Sequence, residues 1–272
     1  MEKQWNLGFI GAGVMAETMI SGAIGKGLVG ADHILASDPN EARRQHMSEK
    51  WNVHRMTGDN LEVVAEAGLI VVCVKPQSLP RLFKEIQGRI PEDTQVLSIV
   101  AGASISALQA GLKHQKVARA MPNLPCRIYQ GTTVWTGAAG GDAERIRQVL
   151  SCMGDAIEVD QEGHIDRATA VNGTGPAIIA EFVKAFMEAA TFIGEPRELA
   201  RESVLSTLKG TVDMIASSDD HVAHLIDEVT SPGGTTSRAL QVLKKGKMAA
   251  VVTESVNAAY ERTLELGANL EK

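Results

Sequence analysis

The sequence predicts an α/β domain followed by an all-helical one, and three features of the 272-residue chain carry that reading. Near the start, the apolar run Leu7-Gly8-Phe9-Ile10 meets Gly11-Ala12-Gly13-Val14-Met15-Ala16 and then an amphipathic helix pattern (Met19, Ile20, Ala23, Ile24). The run Leu69–Val74 is apolar without alternation, as in a strand buried on both faces of a parallel sheet. From His164 onward the period is helical and no strand pattern returns.

Composition narrows the class. The length suffices for two domains with a sizeable core. A net charge of −6 with no basic run argues against a nucleic-acid surface. Hydrophobic content of 44% with only 4% aromatic points to helices and strands packed through Ala, Val, Ile and Leu. No apolar run reaches membrane-spanning length and the start carries no cleavable signal pattern, so a cytoplasmic protein without a membrane partner is expected. Cys73, Cys126 and Cys152 lie far apart, which argues against a disulfide framework or a zinc site.

Gly11-x-Gly13-x-x-Ala16 joins a strand to a helix. Gly11 permits the sharp turn, Gly13 lets a pyrophosphate approach the backbone, and Ala16 lets helix and strand pack closely. Amides from Ala12 to Met15, at the positive end of the helix, would hold the phosphates. The competing reading is a tight turn with no ligand. His33–Ser37 is the second strand, followed by Asp38-Pro39-Asn40. A carboxylate at that strand end accepts hydrogen bonds from both adenosine ribose hydroxyls and repels a 2′-phosphate, so Asp38 argues for NADH. Ser37 with Arg43 and Arg44 leaves NADPH open, and Asp38 also suits an Asp-Pro turn before a helix over 40–50.

A short third strand at Val53-His54 and a helix over 60–67 come next. The strand from Leu69 ends at Val74-Lys75-Pro76, which the carboxyl-end rule puts beside the cofactor. A helix over 77–88, a strand over 95–100, a helix capped by Ser104 and a strand over 116–120 lead to Met121-Pro122-Asn123-Leu124-Pro125. The prolines stiffen that loop, and the Asn123 amide could bond a nicotinamide carboxamide or the substrate. A strand at 131–135, a helix over 142–153 and a strand at 156–159 complete a sheet of about eight strands. The domain boundary falls near Gly163, giving domains 1–162 and 163–272.

In the second domain, 165–193 is apolar almost all round and is interrupted by Asn172-Gly173-Thr174-Gly175-Pro176. Glycines and a proline there imply a kink or break exposing amides and the Asn172 and Thr174 side chains. Ile178, Ile179, Phe182, Val183, Phe186 and Met187 leave too little polar face for a surface helix, so a second subunit is expected to cover them. A helix from Pro196 runs to Ser217. His221, His224 and Glu228 have metal-compatible spacing but no further ligands, so no metal is expected. Ser231-Pro232-Gly233-Gly234-Thr235-Thr236 forms a tight loop with free amides and hydroxyls, a carboxylate site, with Ser231 or Thr235 capping the next helix.

That last stretch, with Ala239-Leu240 and Lys245-Gly246, resembles the signature of pyrroline-5-carboxylate reductases. Gly11-Ala12-Gly13-x-Met15-Ala16, Val74-Lys75-Pro76, Met121-Pro122-Asn123-x-Pro125, Gly173-x-Gly175-Pro176-Ala177 and Glu261-Arg262-x-x-Glu265-Leu266-Gly267 extend the resemblance over essentially the whole chain. Leu124, Cys126, Asn172, Ile178 and Val222 depart from the family's usual residues. The resemblance implies an N-terminal Rossmann dinucleotide-binding domain and a C-terminal all-helical dimerisation domain that interlocks two subunits. It also implies NADPH or NADH as cofactor and reduction of the cyclic imine 1-pyrroline-5-carboxylate to L-proline.

The chemistry fits the residues. Hydride reaches the carbon of a protonated C=N bond, which needs positioning rather than a metal or a nucleophile. Gly233, Gly234 and Thr235 amides would hold the carboxylate with support from Ser231, and Thr236 would meet the ring nitrogen. Asn172 and Thr174 would also face the substrate, and Lys75 would lie beside the reacting atoms. Two rival readings remain: a related imine or β-hydroxy acid oxidoreductase using Lys184, and a non-catalytic NAD(P)-sensing paralogue. The partners expected are a small imino acid and a second copy of the chain, as a homodimer or larger homo-oligomer.

Overall fold

Along β1 (Leu7–Ile10) side chains leave on alternate faces, and both faces are closed by apolar layers. Leu7 and Phe9 join one core with Met19, Ile20, Met47, Val149 and Leu150. Ile10 joins the other with Val63, Val64, Leu79, Leu82 and Leu108. In β4 (Leu69–Val72), Leu69 and Val71 point to the first layer, Ile70 and Val72 to the second. Each such side chain contributes roughly 1.5–3 kcal/mol by leaving water, which explains why these runs lack polar residues.

The computed structural model describes residues 5–137 and 140–270. Its sheet has eight strands in the order β3-β2-β1-β4-β5-β6-β7-β8. The remaining strands are β2 (Ile34–Ser37), β3 (Arg55–Thr57), β5 (Gln95–Ser98), β6 (Val117–Pro122), β7 (Gly131–Gly137) and β8 (Gly154–Glu158). Helices α1 (Val14–Gly25), α2 (Glu41–Trp51) and α6 (Ala143–Ser151) supply the first layer; α3 (Asn60–Glu66), α4 (Leu79–Ile86) and α5 (Ile105–Leu112) supply the second.

Pairing is parallel except between β6 and β7. The link 123–130 is too short for the crossover of roughly a dozen residues that a parallel neighbour requires. The third strand begins at Arg55, two residues later than the strand expected at Val53-His54. Asn52 ends α2 in a left-handed conformation (φ 47°) and turns Val53 into the core as loop. The segment read as one helix over 77–88 is a 3₁₀ turn, Pro76–Ser78, followed by α4.

Contacts divide the chain into two units, Met1–Thr174 with Ala258–Lys272 and Gly175–Asn257. In the first, α7 (Gly163–Ala168) passes into a π-helical turn, Thr169–Gly173. The break expected at Asn172–Pro176 takes the form of this wider turn, with Gly173 at its end and Gly175 opening the next helix. Arg119, buried in β6, holds this segment: it donates to Glu162 at 3.0 Å and to Asp166 at 2.5 Å. The same Glu162 carboxylate accepts the Ile105 N–H at 2.7 Å, tying in α5.

The second unit contains α8 (Gly175–Phe192), α9 (Arg197–Ala216), α10 (Val222–Glu228), α11 (Thr235–Lys245) and the first part of α12 (Met248–Leu270). Pro176 falls in the first turn of α8, where a missing N–H costs nothing. No residue of α8 is buried, and Phe182, Phe186, Phe192 and Ile193 all stand exposed. No helix among the described residues is long and apolar enough to cross a membrane.

Gly11 gives the sharpest test of the frame. Its φ is +92°, and a Cβ there would lie 2.9 Å from the Cys73 carbonyl oxygen. Gly11→Ala is expected to cost about 2–4 kcal/mol through the positive φ and overpacking against rigid backbone. Urea unfolding reads this directly; an unchanged midpoint would mean that β1 and β4 can separate at their ends.

Candidate functional site

The carboxyl ends of β1, β2 and β4 open into a cavity of about 370 Å³ lined by Gly11, Gly13, Asp38, Pro39, Val74 and Lys75, among others. It lies where strand order reverses around β1, the position at which open α/β sheets bind ligands. A Cβ on Gly13 would meet nothing within 4 Å, so a phosphate has room to approach the backbone. Gly13 is also the N-cap of α1, whose first amides have no partner within the helix. This fits a dinucleotide pyrophosphate.

Asp38 lines the cavity, but its carboxylate also builds it. One oxygen accepts the Ala12 N–H at 3.0 Å and the other the Asn40 N–H at 2.9 Å. The Ala12 amide, expected on the phosphates, is thus turned toward Asp38. Asn40 caps α2 by accepting the Arg43 N–H. Ser37 is fully buried and donates to the Asn60 side-chain oxygen at 2.7 Å, so its hydroxyl is engaged by a residue that itself lines the cavity. Arg44 donates to the carbonyls of Asp38 and Pro39, at 2.8 and 3.1 Å. Lys75 is exposed on the lining, and Pro76 begins the 3₁₀ turn after it.

Sequence reasoning passed over Asn60, Ser78, Arg81 and Glu85, which line the same cavity. Asn60 donates to Glu85 at 3.0 Å. Two signals were available: Asn60 opens the helix after β3, at a carboxyl strand end, and Arg81 and Glu85 are spaced i, i+4 on α4.

At the end of β6, the Asn123 and Asn172 side chains bond to each other. Asn123 donates to the Asn172 oxygen at 2.7 Å and accepts the Thr132 N–H at 2.9 Å. Asn172 donates to the carbonyls of Thr132, at 2.8 Å, and Met121, at 3.2 Å. Both amides are engaged in locking the β6–β7 loop to the π turn. The Thr174 hydroxyl likewise donates back to the Ala170 carbonyl.

In the second unit, Gly233 takes a left-handed φ of +72° and the Gly234 N–H closes the turn on the Ser231 carbonyl at 3.0 Å. The N-cap of α11 is Gly234, with no side-chain cap bond, so neither Ser231 nor Thr235 fills the capping role expected of it. Their hydroxyls and those of Thr236 and Ser237 cluster at the start of α11, with Thr236 half-buried. The Gly234 amide is taken by the turn, which leaves the first amides of α11 itself for an anion. His221 caps α10 through Nδ1, and Lys184 pairs with Glu181 at 3.3 Å.

Residues 162–266 match the family model described as pyrroline-5-carboxylate reductase dimerisation, and 6–102 the one described as NADP oxidoreductase coenzyme F420-dependent. A pyrroline-5-carboxylate reductase of Synechocystis sp. is 34% identical over 96% of this chain and 98% of its own length. One from Pseudomonas aeruginosa is 34% identical over 97% of each. The crystal structure of Plasmodium falciparum pyrroline carboxylate reductase with NADP bound superposes with a TM-score of 0.87 at 27% identity, covering 97% of this chain and 98% of that one.

Beside the glycine turn, Glu17 on α1 gathers Arg43, His46, Lys50 and the Trp51 indole N–H. Burial pushes its carboxyl up, but the hydrogen bonds from Lys50, Arg43 and His46 outweigh this and hold the pKa at about 2, below the ordinary 4.5. A lowered carboxylate pKa adds stability that is present in full above about 4.5 and lost as pH falls through about 2. The melting-temperature gap between wild type and Glu17→Gln should therefore be largest near neutrality and close between those two values. A gap that widens on acidification would contradict this account.

Proposed function

The chain belongs to the pyrroline-5-carboxylate reductase family, and we propose that it reduces the cyclic imine 1-pyrroline-5-carboxylate to L-proline with NADPH or NADH. The observation that carries this reading is one chain holding both a dinucleotide cavity with open glycine backbone and the hydroxyl-rich turn Ser231–Thr236. Residues 1–162 act as the cofactor domain and 163–272 as the substrate and dimerisation domain.

Bound NAD(P)H supplies a hydride to the carbon of the protonated C=N bond. The protein binds and orients. Gly11, Gly13, Val14 and Met15 hold the pyrophosphate through backbone and shape, and Ala12 serves through its bond to Asp38. Asp38 faces the adenosine ribose, with Ser37 behind it. Val74, Lys75 and Pro76 flank the cofactor at the end of β4. Asn123, through Asn172, keeps the β6 loop rigid on the nicotinamide side. The turn at Gly233, Gly234 and Thr235, with Ser231, takes the substrate carboxylate on the amides that open α11. Thr236 presents its hydroxyl to the ring nitrogen and keeps its proton in place. Thr174 supports the π turn of the first unit through its bond to the Ala170 carbonyl.

The exposed apolar run through Phe182, Phe186 and Phe192 is the surface a second copy covers. Light scattering at micromolar concentration should find a dimer or larger assembly, with an interface of about 2,000 Å² or more. A fully active monomer would contradict it.

The direct test follows nicotinamide absorbance with 1-pyrroline-5-carboxylate and each cofactor. Thr236→Val keeps the branched shape and deletes the hydroxyl. It should lower kcat/KM roughly 10- to 150-fold, the loss of one hydrogen bond at a charged group. NADPH binding by calorimetry should hold, and stability should change by under about 1 kcal/mol, because no side chain caps this helix. Wild-type turnover in the variant would remove Thr236 from the mechanism.

A further inference from the structure

Arg43 sits where a 2′-phosphate ligand would be sought, yet its guanidinium is committed elsewhere. Nε donates to the Ala12 carbonyl, and Nη2 donates to the Gly13 carbonyl at 3.3 Å and to Glu17 at 2.5 Å. The side chain is only 25% exposed and the Glu17 side chain 17%. Glu17 is itself held in place from α2 by Lys50 at 2.9 Å and His46 at 3.2 Å, so the strut has a fixed foot.

The consequence follows from peptide geometry. In a planar trans peptide the C=O and the next N–H point in opposite directions. Drawing the carbonyls of Ala12 and Gly13 toward Arg43 aims the N–H groups of Gly13 and Val14 the other way, at a turn where Gly13 lines the cavity. The Gly13 carbonyl also accepts the Glu17 N–H at 3.0 Å, which sets the first turn of α1 in the same orientation. Asp38 completes the arrangement by turning the Ala12 N–H aside.

We propose that Arg43, braced by Glu17, is a positioning residue that pre-sets the Gly13 and Val14 amides for the cofactor pyrophosphate. The inference rests on the reading of the cavity as an NAD(P)H site. Arg43 then contributes through the backbone it orients, and its own charge is neutralised by Glu17. A lysine in its place keeps the charge but cannot span one carboxylate and two carbonyls.

The test measures Kd for NADPH and for ADP by calorimetry in wild type, Arg43→Gln, Arg43→Lys, Glu17→Gln and the Arg43→Gln/Glu17→Gln double variant. Arg43→Gln is expected to raise both constants about five- to twentyfold, with KM for NADPH rising equally and kcat at saturating cofactor within about twofold. Arg43→Lys should behave like the glutamine variant. Glu17→Gln should give a smaller rise, and the double variant should be no worse than Arg43→Gln, because the two residues act as one unit. Wild-type affinity in Arg43→Gln, rescue by lysine, additive losses or a matching fall in kcat would each overturn the proposal. If Arg43→Gln does not fold, Glu17→Gln decides: wild-type Kd there also overturns it. Failure of the wild type to bind NADPH or NADH would instead remove the functional reading itself.

Discussion

The first unit depends on two backbones passing each other without a side chain between them. At the end of β1 the chain turns at Gly11 against the carbonyl of Cys73, and the ladders β1–β2 and β1–β4 run up to that point. A side chain there would force the strand ends apart and widen the cavity at the position where α1 must point its amides. Apolar burial on both faces supplies the cohesion, yet burial is non-directional and would tolerate a shifted turn. The direction comes from backbone contacts: the Gly11 N–H on the Ser37 carbonyl at 2.8 Å, and Asp38 on Ala12.

A second set of directional contacts grips the far side of the sheet. Arg119 and Asn123, near the start and just past the end of β6, both reach the segment 162–173, one by ion pairs and the other by amide bonds. Buried charges are a weak source of net stability, because desolvation opposes the attraction. Their value here is register. An apolar contact between β6 and this segment would allow it to slide, whereas Arg119 between Glu162 and Asp166 and Asn172 between Met121 and Thr132 admit one alignment. The larger amide of Asn172, a departure from the family's usual serine, spans three partners that a hydroxyl could not reach together.

Features that follow from local chemistry were legible in the sequence. The Gly11 turn, the β4 run, the Ser104 cap and the helical second half each rest on a residue type doing what its covalent structure dictates. The antiparallel β7 was within reach as well, because loop length alone decides it. Val53 misled by being apolar in a loop that dips into the core. The remainder depends on pairs far apart in the chain. Asp38 was legible as a carboxylate at a strand end, but its bond to Ala12 is not written in either local sequence. The same holds for Arg43 on the glycine loop and for Asn123 on Asn172. Ser37 shows the limit of position rules: its strand end was right, yet its hydroxyl is fully buried and reaches the cavity through Asn60, a partner that its local sequence does not name.

The two units earn their order differently, and this bears on catalysis. The first is closed by its own side chains: Phe9, Leu35, Ile70 and Trp135 are fully buried within one chain. The second buries almost nothing in the same chain, with Ala200 and Val204 the buried residues of α9 and none in α8, α10 or α11. Amides that open a helix hold an anion only when they are aligned before it arrives, so the turn Ser231–Gly234 before α11 would need a rigid base to serve in that way. Two backbone bonds, the Gly234 N–H on the Ser231 carbonyl and the Arg238 N–H on the Gly234 carbonyl, cannot supply that base alone. If a second copy covers the Phe182–Phe186 face, it supplies α8 with the packing that its own chain does not. The order of the second unit then comes from assembly, whereas the first unit stands on its own core.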